Sequence, residues 1–254
     1  MRLRIAPVVL GFSSVWIAGS AQAQTQTTKE PVRARISING GLQSGLSTTF
    51  DGSTSRPLNL ETAIIDTTYR VNPGISLDGG VAFTMRNHFG VGVAVSSFSR
   101  ETETTLNATL PHPIFFQTAR AINGTPSGLM RNELVTHVQA VYVIGPIGRL
   151  DIAVGGGPSL FRITHDFVSD VSFSEAYPFD SASFRSARSE RITRYKTGFS
   201  VGVDVGLRMR RSVGLGGLVR FSRASIDFPL PNGDHAVTAD AGGLQAGGGL
   251  RLYF

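Results

Sequence analysis

The stretch from Leu244 to Phe254, LQAGGGLRLYF, decides the fold of this chain. Apolar or small residues alternate here with a second set that includes Gln245 and Arg251, and the stretch closes on an aromatic residue. These 11 residues have the length and two-residue period of one transmembrane β-strand. Because chain ends are usually loose, we expect so regular a final strand to be required for closing a β-barrel.

The first residues have the pattern of a secretory signal peptide. Arg2 and Arg4 precede an apolar segment, and Ala21-Gln22-Ala23 forms an A-x-A cleavage site before Gln24. Pro7 and other breaks leave the segment short of the ~20 strongly apolar residues that a membrane-spanning helix needs. We therefore predict cleavage between Ala23 and Gln24. The predicted organisation is a signal peptide (1–23), a polar N-terminal leader (24–32) and one barrel domain (33–254).

Composition excludes several classes of protein. The 254 residues include 30 glycines and no cysteine, so neither a disulfide scaffold nor a lipid anchor on cysteine is possible. The formal net charge of +6 is spread along the chain, whereas nucleic-acid binding clusters Lys and Arg on one element. After the leader no apolar run is long enough for a spanning helix.

A two-residue period recurs eight times from Arg33 onward, each time with an apolar and a polar face. The periodic segments are centred on residues 34–42, 75–83, 91–95, 134–144, 150–160, 195–207, 213–221 and 244–254. Their polar faces are rich in glycine, as a narrow lumen requires, and poor in the Lys, Glu and Thr of a soluble sandwich. The sequence therefore predicts an all-β fold, a transmembrane antiparallel up-and-down β-barrel of eight strands.

The connections between these segments alternate in length. Short turns are predicted at residues 86–88, 145–148 and 210–212, and long connections at 44–73, 101–129 and 164–190, with a shorter one at 228–236. Short turns on one side and long loops on the other are typical of outer-membrane barrels. Residues 63–71 are also strand-like, and we interpret them as an extension of the second barrel strand, with a ten-strand barrel as the alternative.

The sequence resembles the small eight-stranded outer-membrane barrels, the class of the OmpA transmembrane domain and the opacity-type surface proteins. The resemblance covers Arg33 to Phe254 and rests on the strand pattern and on the terminal motif. In that family the barrel-assembly machinery reads a terminal Phe with apolar residues at alternate positions, which Phe254, Leu252 and Leu250 match, while Gly248 and Ala246 are weaker than usual. It implies a Gram-negative outer-membrane location, with periplasmic termini and extracellular long loops.

Charged residues fall on the predicted inward face of the strands. This set comprises Arg35, Asp78, Glu133, His137, Asp151, Arg194, Lys196, Asp204, Arg208, Arg220 and Arg251. A buried charge without a partner is very costly, and an eight-stranded barrel has room for side chains but not for a channel. We therefore expect ion pairs that fill the lumen, with the acidic residues neutralising the Arg and Lys side chains.

The long connections suggest contacts outside the cell. Arg185, Arg188, Arg191 and Arg194 recur every three residues near the expected membrane surface, and guanidinium groups suit the phosphates of lipopolysaccharide. Aromatic residues of the same connections either form an exposed recognition surface or fold back over the barrel mouth. They are Phe115, Phe116, Phe167, Phe173, Tyr177, Phe179 and Phe184.

We expect a structural and surface-interaction protein whose partners are outer-membrane lipid, lipopolysaccharide and a host or envelope surface, and not nucleic acid. The alternatives are a lipid-modifying hydrolase that uses His165 or His235 at the outer rim, and a narrow porin-like channel for small solutes. No residues have the spacing of a catalytic dyad, a metal site or a cofactor site, because neighbours such as His165 and Asp166 point to opposite faces of a strand.

Overall fold

The computed structural model describes residues 33–45, 49–85, 88–230 and 236–254. The predicted signal peptide and cleavage site, the leader and His235 lie outside these residues and stay predictions. The described strands are β1 (Arg33–Ser44), β2 (Thr49–Leu58), β3 (Glu61–Arg70), β4 (Gly74–Thr84), β5 (Phe89–Glu101), β6 (Glu103–Pro111), β7 (Ala119–Gly124), β8 (Met130–Ile147), β9 (Leu150–Glu175), β10 (Ala182–Arg208), β11 (Val213–Pro229) and β12 (Ala236–Tyr253). Within the described ranges no helix is long and apolar enough to cross a membrane.

Eight of these strands close into an antiparallel barrel. Its order is β1-β12-β11-β10-β9-β8-β5-β4, and β4 pairs back with β1. The first and last strands meet in continuous register from Arg35 opposite Tyr253 to Ser44 opposite Leu244. At the end of this seam, the Phe254 amide donates to the Ala34 carbonyl at 2.9 Å. The predicted fold class and the count of eight barrel strands are confirmed.

The outer surface of the barrel is apolar, because the predicted apolar faces all point outward. Ile38, Leu77, Val93, Val203 and Leu250 are among the exposed residues of this surface. In water so large an exposed apolar area would be unstable, whereas lipid tails cover it without cost. Aromatic residues such as Phe89, Tyr142, Tyr195 and Phe199 are exposed towards its edges, as in the aromatic girdles of membrane barrels.

The two ends of the barrel differ. At the short-turn end, four or fewer residues join β4 to β5, β8 to β9 and β10 to β11. At the loop end, the connection from β1 to β4 contains β2 and β3, and that from β5 to β8 contains β6 and β7. These four strands form a separate sheet of order β2-β3-β6-β7.

The interpretation of residues 63–71 as an extension of the second barrel strand is therefore wrong, and so is the ten-strand alternative. The segment is β3, which pairs with β2 and β6 rather than with barrel strands. Its two-residue period is real, but its apolar face, with Ala63, Ile65 and Tyr69, is buried outside the membrane zone. Pro73 lacks an amide hydrogen and marks the break before β4.

The expectation of a long loop over 164–190 is also wrong. Strands β9 and β10 stay paired beyond the barrel up to Glu175 opposite Ala182, so that only residues 176–181 turn. Two register shifts, between Phe184 and Ser186 and between Arg188 and Ser189, interrupt this extension. Such bulges twist a hairpin and allow it to lean over the barrel mouth.

The apolar core of the protein lies at the loop end. We call the cap the sheet β2-β3-β6-β7 together with residues 163–194 of the β9–β10 hairpin. Its buried apolar residues pack against the inner wall of the barrel near the loop end. Val135, Phe161, Ala224, Ile226 and Phe228 lie in this part of the wall. The cap core therefore seals the loop end of the lumen and leaves a polar interior beneath it.

Candidate functional site: the lumen and the cap

In the half nearer the short-turn end, the lumen holds a continuous chain of charged and amide groups. Arg251 of β12 is fully buried, and its Nε and Nη1 donate to Asp204 at 3.1 Å and to Asn39 at 2.6 Å. Asn39 in turn donates to Asp78 at 2.9 Å, and the other oxygen of Asp78 pairs with Arg220. These contacts tie β12, β10, β1, β4 and β11 together across the interior.

Glycines of the inward face make room for Arg251. A β-carbon at Gly216 would lie 2.8 Å from Nε of Arg251, and one at Gly206 would lie 2.3 Å from the Tyr253 hydroxyl. Any larger side chain at these positions would displace the network. At Gly206 and Gly216, glycine therefore leaves room for the bulky side chains of Tyr253 and Arg251 from a neighbouring strand.

Two further arginines of the predicted set form ion pairs in the lumen. Near the short-turn end, Arg208 lies 3.3 Å from Asp151 and stacks over the Tyr253 ring at 4.4 Å. Arg35 adds a second cation to Asp204 at 3.3 Å. Each acidic residue of the predicted inward set except Glu133 is therefore paired with an arginine of the same set.

Glu133 pairs with an arginine that the sequence analysis did not single out. Its carboxylate accepts hydrogen bonds from Arg131 at 2.8 Å, from Gln43 at 3.1 Å and from the Gly242 amide at 3.1 Å. Gly242 has a φ of 85°, a left-handed conformation that favours glycine. Arg131 has the same strand parity as Glu133 and His137, so the two-residue period could have found it.

Three members of the predicted inward set do not form ion pairs in the lumen. His137 is completely buried, but it lies between the hydroxyls of Ser96 at 3.0 Å and Ser159 at 2.8 Å and forms no ion pair. Lys196 is half-exposed, and its ammonium lies 3.9 Å from exposed Asp227. Arg194 is exposed as well. Lys196 and Arg194 lie beyond the point where β10 and β11 separate, at Phe199 opposite Arg223, so they have no lumen to enter.

Side chains leave little space in the lumen, as far as the described residues show. A cavity of about 50 Å³ remains between Arg35, Gln139, Asp204 and Arg220, which is room for one or two water molecules. The cap core closes the other half of the interior. This geometry gives no support to the narrow-channel alternative.

The four arginines of the predicted lipopolysaccharide contact lie on β10 in the cap hairpin. Arg185, Arg188, Arg191 and Arg194 are all exposed. Strand residues three apart normally face opposite sides, but the register shifts near Phe184 and Arg188 interrupt that alternation. Arg191 donates to Asp166 at 2.8 and 3.2 Å, and its guanidinium holds the pKa of that carboxyl below its usual value.

His165 lies in the cap and not at an accessible rim. The apolar outward face of β9 ends at Leu160, and exposed Arg162 follows, so His165 is outside the membrane zone. The side chain is fully buried between the rings of Phe50, Tyr69 and Phe167, at centroid distances of 5.4, 5.3 and 4.6 Å. Neither ring nitrogen has a hydrogen-bond partner, and burial lowers the pKa of His165 to about 3.

This environment does not suit a hydrolase that uses His165, whereas the alternative through His235 stays untested. A general base must reach both the nucleophile and the substrate, and His165 reaches neither solvent nor a hydroxyl. Among the described residues no group of three or more His, Asp and Glu side chains is placed to hold a metal ion.

The aromatic residues of the cap divide between the two expected roles. Phe167 is fully buried, and Phe173 and Phe184 pack against the core, so these three fold over the barrel mouth. Phe115, Phe116 and Tyr177 are exposed, together with Ile114 and Leu60. We call these five residues the tip, because they lie in the turns of the β2–β3, β6–β7 and β9–β10 hairpins.

Hydrogen bonds hold the three turns of the tip together. The Gln117 amide donates to Glu61 at 2.9 Å and joins the first two turns. Buried Arg120 donates to the carbonyl oxygens of Pro111 and Phe179, both at 3.0 Å, and joins the second turn to the third. The apolar side chains are therefore presented on a fixed frame.

Comparisons with known proteins identify no family from the sequence, but they find solved structures with a similar fold. The sequence matches no protein-family model and no curated protein. Among solved structures the chain is similar to the outer membrane protein OprG from Pseudomonas aeruginosa, with 10% identity, 89% of this chain and 97% of that chain covered, and a TM-score of 0.47.

Two further structures are similar at comparably low sequence identity. One is the outer membrane protease OmpT from Escherichia coli, with 10% identity, 90% of this chain and 100% of that chain covered, and a TM-score of 0.47. The other is Ail, the attachment invasion locus protein of Yersinia pestis, with 12% identity, 87% of this chain and 99% of that chain covered, and a TM-score of 0.36. These likenesses carry nothing about activity. The closed ring of eight antiparallel strands, its apolar outer wall and its filled lumen are the architecture of a small transmembrane β-barrel.

Proposed function

We propose that this protein is a surface-interaction protein, in which a plugged barrel anchors a folded cap that presents the tip to a partner outside the cell. The observation that carries the proposal is the cap itself. Connections of this length exceed what joining strands requires, and long loops of compact folds are usually functional or disordered. Here they are folded around an apolar core.

The orientation is part of the proposal. Outer-membrane barrels place short turns in the periplasm and longer loops outside. We assign the short-turn end, where β1 begins and β12 ends, to the periplasm, and the cap to the extracellular side. The assembly role of Phe254, Leu252 and Leu250 stays a prediction of the sequence.

The tip has the composition of an interface centre. Leu60 is 93% exposed and Tyr177 is 83% exposed, which is unfavourable unless a partner covers them. Aromatic side chains dominate the binding energy of many protein interfaces. Glu61 and Asp180 lie beside the tip in sequence, so the partner is expected to combine an apolar patch with a basic border.

Replacing Leu60, Phe115, Phe116 and Tyr177 together by serine is expected to reduce partner binding at least about tenfold, because each aromatic anchor typically contributes about 2 kcal/mol or more. The measurement is adhesion to cultured epithelial monolayers by bacteria that display either form of the protein. Ile64→Ser is the matched control, since Ile64 is also an exposed apolar residue of the cap but belongs to β3. Unchanged adhesion by a correctly folded tip variant would retire the tip as the binding surface.

We propose a separate lipopolysaccharide contact through Arg185, Arg188 and Arg194, which form no ion pair with any described residue. Replacing all three by glutamine is expected to weaken binding to lipopolysaccharide vesicles and to flatten its dependence on salt concentration, because exposed charges are screened by salt. The matched control is Arg191→Gln, since Asp166 already neutralises Arg191. Equal salt dependence in the triple variant and the control would refute the contact.

A further inference from the structure

Leu60 at the apex of the β2–β3 hairpin has an unfavourable backbone conformation. Leu58 pairs with Glu61, so that two residues form the turn. These two, Asn59 and Leu60, have φ values of 52° and 67°, and turns of this kind favour glycine in the second place. A leucine there is strained, and its side chain is 93% exposed. Because both the conformation and the exposure are unfavourable, Leu60 points to an apolar partner that covers it.

The β6–β7 turn carries three consecutive exposed apolar side chains, those of Ile114, Phe115 and Phe116. Its backbone amides are largely occupied within the protein. Nδ1 of buried His112 accepts hydrogen bonds from the amides of Ile114 and Phe115, at 3.1 and 3.0 Å, and Pro113 has no amide hydrogen. The apolar side chains therefore project from a backbone that does not depend on water for these bonds.

The rest of this turn follows the same rule. The Gln117 amide donates to Glu61 at 2.9 Å. Between residues 113 and 117, the Phe116 amide alone makes no hydrogen bond with a described residue. Internal satisfaction of backbone groups is what entry into lipid demands, because lipid tails offer no hydrogen bonds. A turn that only faces water has no such requirement.

The charges of the tip select the kind of bilayer. The three turns, residues 59–60, 112–118 and 176–181, contain no Lys or Arg, and their one carboxylate is that of exposed Asp180. Glu61 follows directly after the first turn. Anionic headgroups are attracted by clustered Lys and Arg, which the turns lack, and are repelled by these carboxylates. Phosphatidylcholine has no net charge to repel, and its quaternary ammonium suits aromatic faces.

We propose that the tip inserts into the headgroup region of a zwitterionic phospholipid bilayer. The proposal rests on the tip as the binding surface and names its partner. Separate apolar side chains at the ends of hairpins suit lipid, which rearranges around them, whereas a protein partner needs a complementary packed surface. Tyrosine, here Tyr177, is typical of the interface between lipid and water.

The tip faces a membrane other than the one that holds the barrel. β3 runs ten residues from the first turn to Arg70 at the barrel end of the strand, ~33 Å. On the β9–β10 hairpin the outward apolar face ends at Leu160, and the turn begins only at residue 176. The lipid around the outer wall is therefore out of reach, and the bilayer is that of a neighbouring cell or vesicle.

Leu60→Gly is the decisive variant, because it removes the side chain and relaxes the turn. Folding stability is expected to be kept or raised. Affinity for phosphatidylcholine vesicles is expected to fall about fivefold to tenfold, the effect of withdrawing one leucine side chain from an apolar environment. A purely structural role of Leu60 would change stability instead. The matched control is Ile64→Ser, which changes an exposed apolar residue of β3 outside the tip.

Insertion is measured with the protein in nanodiscs of phosphatidylcholine, mixed with vesicles of brominated phosphatidylcholine, whose bromine atoms quench tryptophan on contact. The one tryptophan of the sequence, Trp16, lies in the predicted signal peptide, so Phe116→Trp gives the mature protein a single reporter. Its fluorescence is expected to be quenched and to shift to shorter wavelength, because the indole enters the interface. Ile64→Trp on the cap and Leu77→Trp on the outer wall are the controls, and the second reports any exchange of lipid between disc and vesicle.

Quenching of Phe116→Trp alone, together with weaker vesicle binding by Leu60→Gly, supports the proposal. Three results overturn it: equal quenching of Leu77→Trp, no quenching of Phe116→Trp, or equal vesicle affinity of Leu60→Gly and Ile64→Ser. Tighter binding to phosphatidylglycerol vesicles than to phosphatidylcholine vesicles overturns it as well.

The adhesion of the tip variants separates this inference from the proposed function. If adhesion depends on the tip while vesicles do not bind, the partner is a protein and the surface-interaction role stands. If neither adhesion nor vesicle binding depends on the tip, both proposals fail.

Discussion

Replacing Asp78 by alanine is expected to destabilise the barrel by about 3–5 kcal/mol, the usual effect of leaving one partner of a buried ion pair alone. Asp78 and Arg220 are each 4% exposed, so loss of the carboxylate leaves a buried guanidinium without its charged partner. Asp78 also accepts from Asn39 at 2.9 Å, and Asn39 supports Arg251. The measurement is the urea midpoint for loss of the heat-modifiable folded band in detergent micelles.

Two variants separate the ion pair from a general loss of packing. Asp78→Leu combined with Arg220→Met removes both charges at once and is expected to recover most of the stability, because apolar residues of similar size often replace buried pairs without loss. Asp227→Ala removes the partner of Lys196 at the surface, where both side chains are half-exposed, and is expected to cost at most about 1 kcal/mol. If Asp78→Ala is no less stable than Asp227→Ala, the lumen network is not what holds these strands.

The barrel could be predicted from the sequence because a period of two residues determines which side chains face lipid. Ile38, Val93 and Leu250 point outward as expected, and the inward residues follow by exclusion. The partners within the lumen could not be predicted, since they depend on strand register. Asp78 meets Arg220 across a sequence separation of 142 residues, and no local pattern encodes that pairing.

The sheet that builds the cap was missed for a different reason. Residues 61–70 carry the same two-residue period as membrane strands, but a period does not say whether the apolar face meets lipid or protein. Residues 164–190 lack a regular period, since residues 165–168 are all buried, and so the sequence predicts a loop there. Ile65 and Phe167 are fully buried in the cap core, whereas Leu160, a few residues before Phe167 on the same strand, is exposed in the outer wall. Phe167 is covered by Phe50 of β2 and Tyr69 of β3, which are distant in sequence from β9.

Acidification is expected to loosen the cap through His165, and the sign follows from its pKa. Burial lowers the folded-state pKa of His165 from 6.5 to about 3. Between these values the unfolded state binds a proton that the folded state does not, so the stability of the cap falls as pH drops from about 6.5 towards about 3. The slope is at most about 1.4 kcal/mol per pH unit.

The groups around His165 offset little of this loss. The rings of Phe50, Tyr69 and Phe167 enclose it, and no acceptor reaches either nitrogen. Burial and the positive charge of Arg131 both oppose protonation of His165. The carboxylate of Asp166 favours protonation, but its effect on this pKa is smaller than either. An imidazolium at this position would therefore be a charge in an apolar core.

His165→Leu removes the titration and both unpaired nitrogens, so it is expected to raise cap stability at neutral pH by about 1–3 kcal/mol. The stability gap between His165→Leu and the wild-type protein should widen by about 2 kcal/mol between pH 6.5 and pH 5.0. Hydrogen exchange of the β3 and β9 amides, corrected for intrinsic rates, measures both, and the carboxylates common to the two proteins cancel in the difference. A stability gap that stays constant over this range would mean that the imidazole takes up its proton without opening the cap. In that case water would reach His165 between the rings of Phe50, Tyr69 and Phe167, contrary to what their geometry implies.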